Sequence, residues 1–463
     1  MPETLEKNKS KIKIEKNGND SLNRLVNVLS SDLDFHNLKS NHGSHNFHSF
    51  PAKFPPQLPS KFILELTEQN DLVLDPMAGS GTTIVESLIN KRNAIGFDID
   101  PLALMITEVK TSFFNKKILI DTFSKIISHS IESIQNRQYL LDSFFEQVDE
   151  NTKKFVHYWF SDDTIAELVS LLNPISKIKD KNIRTFFEVI FSSIIITKSG
   201  GVSLAMDLAH TRPHRVKKAV NFNSELLFDL TDTKVNSRHH ILSKKLKSPI
   251  LEFKKKFYQN IKALLEEKFH NQLRLEFADS QYLPLPDNSV DLIVTSPPYA
   301  SNAIDYMRAH KFSLLWFGYS IDDLKDKRTK YIGGDATSNF KFEEMPQLTE
   351  KVLKKLAEQN SKKSLVLHRY YSEMTHSLRE MFRVLKSNKS AIVVVGNSVL
   401  SGVPSETHLC LKEIGEQIGF TVPHIGVRKL DRNRRMLPAS NNSSNSQILQ
   451  RMTEEYIIGF YKK

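Results

Sequence analysis

Thr295-Ser296-Pro297-Pro298-Tyr299 follows directly on the apolar run Val290-Asp291-Leu292-Ile293-Val294, and the reading of these ten residues decides the fold. A run this short and this rich in β-branched residues reads as a buried parallel strand. Two consecutive prolines forbid its continuation, because proline has no amide proton and a fixed φ. The strand therefore ends in a stiff polar lip carrying a hydroxyl, two rings and a phenol. Open α/β sheets bind ligands beyond the carboxyl ends of their strands, which makes this lip a candidate site.

Upstream, Leu72-Val73-Leu74-Asp75 reads as another short strand, running into Pro76-Met77-Ala78-Gly79-Ser80-Gly81-Thr82-Thr83 and a helix from Ile84 to Asn90. A second strand, Ala94-Ile95-Gly96-Phe97-Asp98, ends in an acid 23 residues after Asp75. That spacing is a cue for a nucleoside-binding βαβ unit, in which glycines admit the ligand to the backbone and the later acid takes the ribose hydroxyls. Gly79 and Gly81 are followed by Ile84, so the dinucleotide pattern G-x-G-x-x-G is absent, as is the lysine of a phosphate-binding loop. An adenosine-containing ligand without a pyrophosphate fits better than NAD or ATP. A third strand, Leu273-Arg274-Leu275-Glu276-Phe277-Ala278-Asp279, has an acid at its end. Each acid alone has a bland reading as a helix cap or turn residue. Three at successive strand ends, with Ser296 at a fourth, supply acceptors for a ribose diol and an exocyclic amine.

The length of 463 residues exceeds that of one usual domain, so a catalytic domain with a large insertion is expected. Residues 1–20 are rich in Lys, Glu and Asn and read as a disordered arm without a signal peptide. No apolar run approaches a membrane span, and the single cysteine, Cys410, excludes an internal disulfide; a cytoplasmic protein is expected. The first part of the catalytic domain spans 21–101 and the second 271–463, with residues 102–270 between them as a mostly helical insertion. Net charge is +11, and Leu208 to Lys256 holds 12 Lys and Arg against 4 Asp and Glu. Arg212, Arg215, Lys217 and Lys218 cluster there around Pro213 and are candidate phosphate contacts, with the insertion as the leading candidate for target recognition. Tyr319 to Glu344 reads as a mobile loop, Met345 to Leu385 as helical, and Ala391 to Asn397, Phe420 to Val427 and Tyr456 to Tyr461 as the last strands. His42, His45, His48, His210, His214, His239 and His240 lack the spacing of a zinc site, and no metal is expected.

With these residues in place the chain resembles the S-adenosylmethionine-dependent amino-group DNA methyltransferases, nearest to the cytosine-N4 type. The resemblance rests on Asp75-Pro76-Met77-Ala78-Gly79-Ser80-Gly81-Thr82, Asp98, Asp279 and Thr295 to Tyr299, and covers about 72–101 and 274–318. It implies a Rossmann-like α/β fold with a seven-stranded, mostly parallel sheet ending in an antiparallel hairpin. It implies that Gly79 and Gly81 approach the methionine portion of the cofactor, that Asp98 and the adjoining Ile99 bind its ribose end, and that Asp279 meets the adenine amine. The loop Phe47 to Pro55, with Phe50 and Lys53, resembles a segment that covers the methionine end.

An exocyclic amine conjugated to its ring is a poor nucleophile. The resemblance implies that Ser296 and the Pro297 carbonyl accept hydrogen bonds from the two amine protons, that Pro298 stiffens the lip, and that Tyr299 stacks on a base extruded from double-stranded DNA. Carbon-5 methylation, which uses a Pro-Cys nucleophile, is excluded because Cys410 has no such neighbour. Serine at position 296 favours cytosine N4 over adenine N6, the alternative target, and over an amine in RNA. Such marking implies a restriction-modification system with a companion endonuclease. A non-catalytic nucleic-acid-binding protein of the same fold is the alternative of another class.

Overall fold

The computed structural model describes residues 20–36, 38, 43–50, 53–197, 201–206, 214–230, 243–265, 268–300, 306–430 and 453–463. Seven strands form the main sheet: β1 (Leu72–Asp75), β2 (Asn93–Asp98), β3 (Leu273–Phe277), β4 (Val290–Thr295), β5 (Leu385–Gly396), β6 (Ile425–Lys429) and β7 (Glu454–Lys462). Their spatial order is β6-β7-β5-β4-β1-β2-β3. β1 pairs in parallel with β2 and β4, β2 with β3, and β4 with β5, whereas β7 runs antiparallel to both β5 and β6. The fold is thus the α/β Rossmann-like, mostly parallel sheet expected. The chain order reverses at β1 and β4, which opens a crevice between their carboxyl ends.

Central parallel strands must be apolar on both faces, and β4 is buried at all six positions. Alternation assigns the faces: Val73, Leu292, Val294, Ile392 and Val394 pack with Leu25, Leu29, Leu58 and Phe62, whereas Leu74, Ile293, Val393 and Val395 pack with Tyr370, Tyr371, Met374 and Leu411. Leu25 and Leu29 lie on a helix over residues 20–29, α1, and Leu58 and Phe62 on α2 (Gln57–Leu66). The second layer comprises α14 (Ser361–Val384) and α15 (Thr407–Ile418), with α13 (Gln347–Gln359) beside them. β3 is the exposed edge and carries an Arg274–Glu276 ion pair at 2.7 Å, a charged guard against further strand pairing.

α3 (Thr82–Ile89) follows β1 and α4 (Pro101–Thr111) follows β2. Beyond them come α5 (Lys116–Ser133), α6 (Arg137–Phe145), α7 (Glu150–Trp159), α8 (Asp162–Ser176), α9 (Lys181–Ile195) and α10 (Pro249–Ile261). This helical insertion is built around an aromatic core in which Phe123 stacks on Phe257 with ring centroids 3.9 Å apart. It also carries a three-stranded sheet of Lys218–Val220, Leu226–Asp229 and Ser243–Lys245. Its core is continuous with Phe47, Phe50 and α11 (Tyr306–Leu314), so the insertion is fused to the segment that follows Tyr299.

Two expectations change. The stretch from Tyr319 to Glu344, read as a loop, contains α12 (Ile321–Thr329), started by a capping box in which Ser320 and Asp323 satisfy each other's backbone amides. Part of the charge noted between Leu208 and Lys256 is also held internally where it is described. Lys218 meets Asp229 at 2.7 Å, Lys247 meets Glu252 at 3.7 Å, and half-buried Lys244 donates to the carbonyls of Ser203 and Ala205. The arm 1–19 and residues 431–452 lie outside the described residues.

Candidate active site

A cleft of about 840 Å³, measured to its open mouth, lies at the carboxyl ends of β1 to β4. Its floor is the loop after β1, from Asp75 to Ser80 with Thr82, and Asp98 to Asp100 form the side after β2. Ala278 to Ser280 come from the end of β3, Ser296 and Pro298 from the end of β4, and Phe50, Lys53, Phe54, Tyr306, Tyr331 and Ile332 complete the wall. Of the residues read from sequence as cofactor-binding, Asp75, Pro76, Ala78, Gly79, Thr82, Asp98, Ile99, Asp279, Phe50 and Lys53 all line this one cleft. Gly81 does not. It caps α3 at φ +73°, and a Cβ there would fall 2.5 Å from the Thr107 side chain, so its requirement is a tight turn against α4 rather than a ligand.

The glycine loop and the second acid are one unit. Asp98 accepts from the Gly79 amide on one oxygen at 2.7 Å and from the Asp100 amide on the other at 2.8 Å. A carboxylate has further acceptor capacity on each oxygen, which suits a vicinal diol. Burial, and then the neighbouring Asp100, push the Asp98 carboxyl up to about 7. Burial likewise pushes Asp75 up to about 6. Asp100 behaves oppositely: despite its burial, His310 at 2.5 Å holds it below the usual carboxylate range. Asp100 also accepts from the Leu102 and Ala103 amides at the start of α4, so it joins that helix to α11.

At the lip, the Ser296 hydroxyl donates to the Val394 carbonyl at 3.2 Å. Its proton is committed, and its oxygen remains an acceptor. Pro298 lines the cleft, but Pro297 and Tyr299 do not. The Tyr299 hydroxyl instead donates to Glu455 Oε1 at 2.8 Å.

The segment before β1 is tied down by buried polar contacts. His45 meets Glu86 of α3 at 2.8 Å, His48 meets Ser192 of α9 at 2.9 Å, and the Lys53 ammonium donates to the carbonyls of His45 and His48. These contacts set Phe50 against Tyr306, with ring centroids 5.4 Å apart, and 3.4 Å from where a Gly79 Cβ would stand. His45 and His48 thus serve packing. His42, His210, His239 and His240 lie outside the described residues.

Three of the four candidate phosphate contacts are described, and their surroundings differ. Arg212 lies outside the described residues, Lys218 is paired with Asp229, and Arg215 sits 4.6 Å from the ring centroids of both Tyr158 and Phe228. Lys217 is exposed. Sequence reasoning missed Tyr306, Tyr331, Ile332 and Asp100. Asp100-Pro101 carried a signal, an acid before a proline at a helix start, whereas Tyr331 and Ile332 reach the cleft only through tertiary contacts.

Residues 3–108 match the N6_N4_Mtase family model, described as DNA methylase. Over 448 residues the chain is 24% identical to the type II methyltransferase M.MvaI of Kocuria varians, covering 92% of each chain. It is 23% identical over 431 residues to the type II methyltransferase M.BsoBI of Geobacillus stearothermophilus, covering 82% of this chain and 79% of the relative. It is 22% identical over 467 residues to the type II methyltransferase M.AvaI of Nostoc, covering 92% and 87%.

Proposed function

We propose that this chain, a member of the S-adenosylmethionine-dependent amino-group DNA methyltransferases, methylates the exocyclic N4 of cytosine in double-stranded DNA at a specific sequence. The observation that carries this reading is the meeting of Ser296 with Asp98 and Asp279 in one cleft, with a hydroxyl rather than a carboxylate at the end of β4. When bound, S-adenosylmethionine supplies a methyl group on a positively charged sulfur. The donor set fits that group: Asp98 faces the cleft as the acceptor for a ribose diol, Asp279 as the acceptor for an adenine amine, and Phe50 with the glycine loop encloses the remaining end.

Ser296 Oγ and the Pro297 carbonyl accept hydrogen bonds from the two N–H groups of the target amine, which localises the nitrogen lone pair; the amine that gains the methyl group releases one of these protons to solvent. The prolines hold the lip without reorganisation during the reaction, the condition under which fixed dipoles are effective. Tyr299 receives the extruded ring. Stacking of about 1–3 kcal/mol offsets an unstacking cost of similar size.

The insertion of residues 102–270 is the target-recognition region in this reading, supported by its fusion to α11 and to the loop bearing Phe50. The similarity to type II methyltransferases supports a restriction-modification setting with an endonuclease acting on the same site. Among the described residues no helix is long and apolar enough to cross a membrane.

Transfer of labelled methyl groups from S-adenosylmethionine to duplex DNA, followed by nucleoside analysis, tests the reading. N4-methylcytosine is expected. N6-methyladenine would overturn the choice of base, and preferential labelling of RNA would overturn the choice of polymer.

A further inference from the structure

β7 is the antiparallel strand of the sheet, so its first residues stand where the parallel strands end. Glu455 is paired with Gly396, the last residue of β5, and with Arg428 of β6. Its carboxylate accepts from the Tyr299 hydroxyl on Oε1 at 2.8 Å and from Arg428 Nη1 on Oε2 at 2.6 Å. The side chains of Arg428 and Glu455 are 12% and 10% exposed. Burial and the adjacent Glu455 hold the Tyr299 phenol well above its ordinary range, so it stays a hydrogen-bond donor.

We propose that Glu455, oriented by Arg428, is a positioning residue for Tyr299, fixing the ring that receives the target base. The proposal rests on the role given to Tyr299 above. Two prolines already fix the backbone ahead of Tyr299, which leaves the side-chain torsions as its main freedom. A hydrogen bond at the far end of the ring removes that freedom. Arg428 and Glu455 face each other across β6 and β7 and need no third residue to join those strands. The second carboxylate oxygen nevertheless holds the hydroxyl of a residue 156 positions earlier in the chain. The geometry therefore ties the lip to β7, which begins at the rim where the parallel strands end.

Tyr299→Phe keeps the ring and the Arg428–Glu455 pair and removes only the hydroxyl. It is expected to lower kcat about tenfold, a loss of about 1.4 kcal/mol, with cofactor Kd unchanged. The emission of 2-aminopurine placed at the target position should fall as the flipped base is held less well. In Glu455→Gln the guanidinium claims the amide oxygen and turns the amide NH₂ toward Tyr299, so a similar loss of kcat is expected. The Tyr299 hydroxyl also meets the Ser296 side chain, so the double variant should be no slower than Tyr299→Phe alone. Wild-type kcat and emission in Tyr299→Phe, or losses that multiply in the double variant, would overturn the proposal.

If the wild-type protein transfers no methyl group to DNA, the functional reading fails by itself. Coupling between Tyr299 and Glu455 is then read from thermal midpoints of the same variants. Non-additive shifts support the link, and additive shifts refute it.

Discussion

Asp98 at the end of β2 accepts a hydrogen bond from the Gly79 amide at 2.7 Å, so the acid of the second strand and the glycine loop of the first form a single cradle. Replacing the carboxylate should therefore damage cofactor binding before anything else. Asp98→Asn is expected to weaken S-adenosylmethionine by about tenfold to a hundredfold, the loss of charge-assisted hydrogen bonds. Titration calorimetry showing an unchanged Kd would remove Asp98 from the ribose site.

The same residue sets a pH dependence. A carboxyl raised from 3.8 to about 7 holds its proton more tightly in the folded protein than in the unfolded chain. Its contribution to stability is full below about 4 and is lost as pH rises toward 7. Ligand-free protein should show a falling thermal midpoint between pH 5 and pH 8, and Asp98→Asn should flatten that slope. Because the ionised form is the better acceptor, cofactor affinity should rise about tenfold from pH 6 to pH 8. Proton release on binding, measured in buffers of different ionisation enthalpy, checks this.

Gly79 and Gly81 should fail in different ways. Gly81→Ala adds a left-handed conformation to a Cβ 2.5 Å from Thr107, and is expected to destabilise by roughly 2–4 kcal/mol. Gly79→Ala, at φ +51° with the Phe50 ring 3.4 Å from the added carbon, should cost only about 1–2 kcal/mol. It should lower cofactor affinity by narrowing the cleft. Denaturant unfolding and calorimetry on both variants separate the two effects.

Arg369 and Glu373 of α14 form a buried pair at 2.8 Å, and between them they hold the Thr329 and Ala336 carbonyls and the Gly333 amide. The segment so clamped carries Tyr331 and Ile332 into the cleft. Glu373→Met leaves a buried guanidinium uncompensated and should cost about 3–5 kcal/mol. Hydrogen exchange should quicken at residues 329–336, and cofactor Kd should rise.

On the insertion, Lys217→Ala should reduce the slope of log DNA affinity against log salt by about one unit if it meets a phosphate. Arg215→Ala should leave that slope unchanged and lower thermal stability, since its guanidinium lies between Tyr158 and Phe228. Fluorescence anisotropy across a salt series distinguishes them.

The strands, the cofactor loop and the three acids were legible in the sequence because each is encoded locally. β-branched runs mark buried strands, consecutive prolines stop one, and positive-φ glycines mark turns. The spacing of Asp75 and Asp98 follows from the length of a strand-helix-strand unit, and Asp279 ends the first strand pattern after the insertion. Local encoding does not show tertiary partners. Arg215 lies against Tyr158 and Phe228 and Lys218 meets Asp229, neighbours the linear pattern does not announce. Gly81 looked like a cofactor contact, and its constraint is Thr107.

The sequence by itself determined where the strands lie and that two prolines stop β4, since short-range sterics and hydrophobic periodicity act within a few residues. Only the tertiary structure decided that Tyr331 and Ile332 close the cleft, that Asp100 is bound to His310, and that Glu455 reaches Tyr299 across 156 residues. Those relationships depend on strand order and direction, which arise from how the whole chain buries its apolar faces.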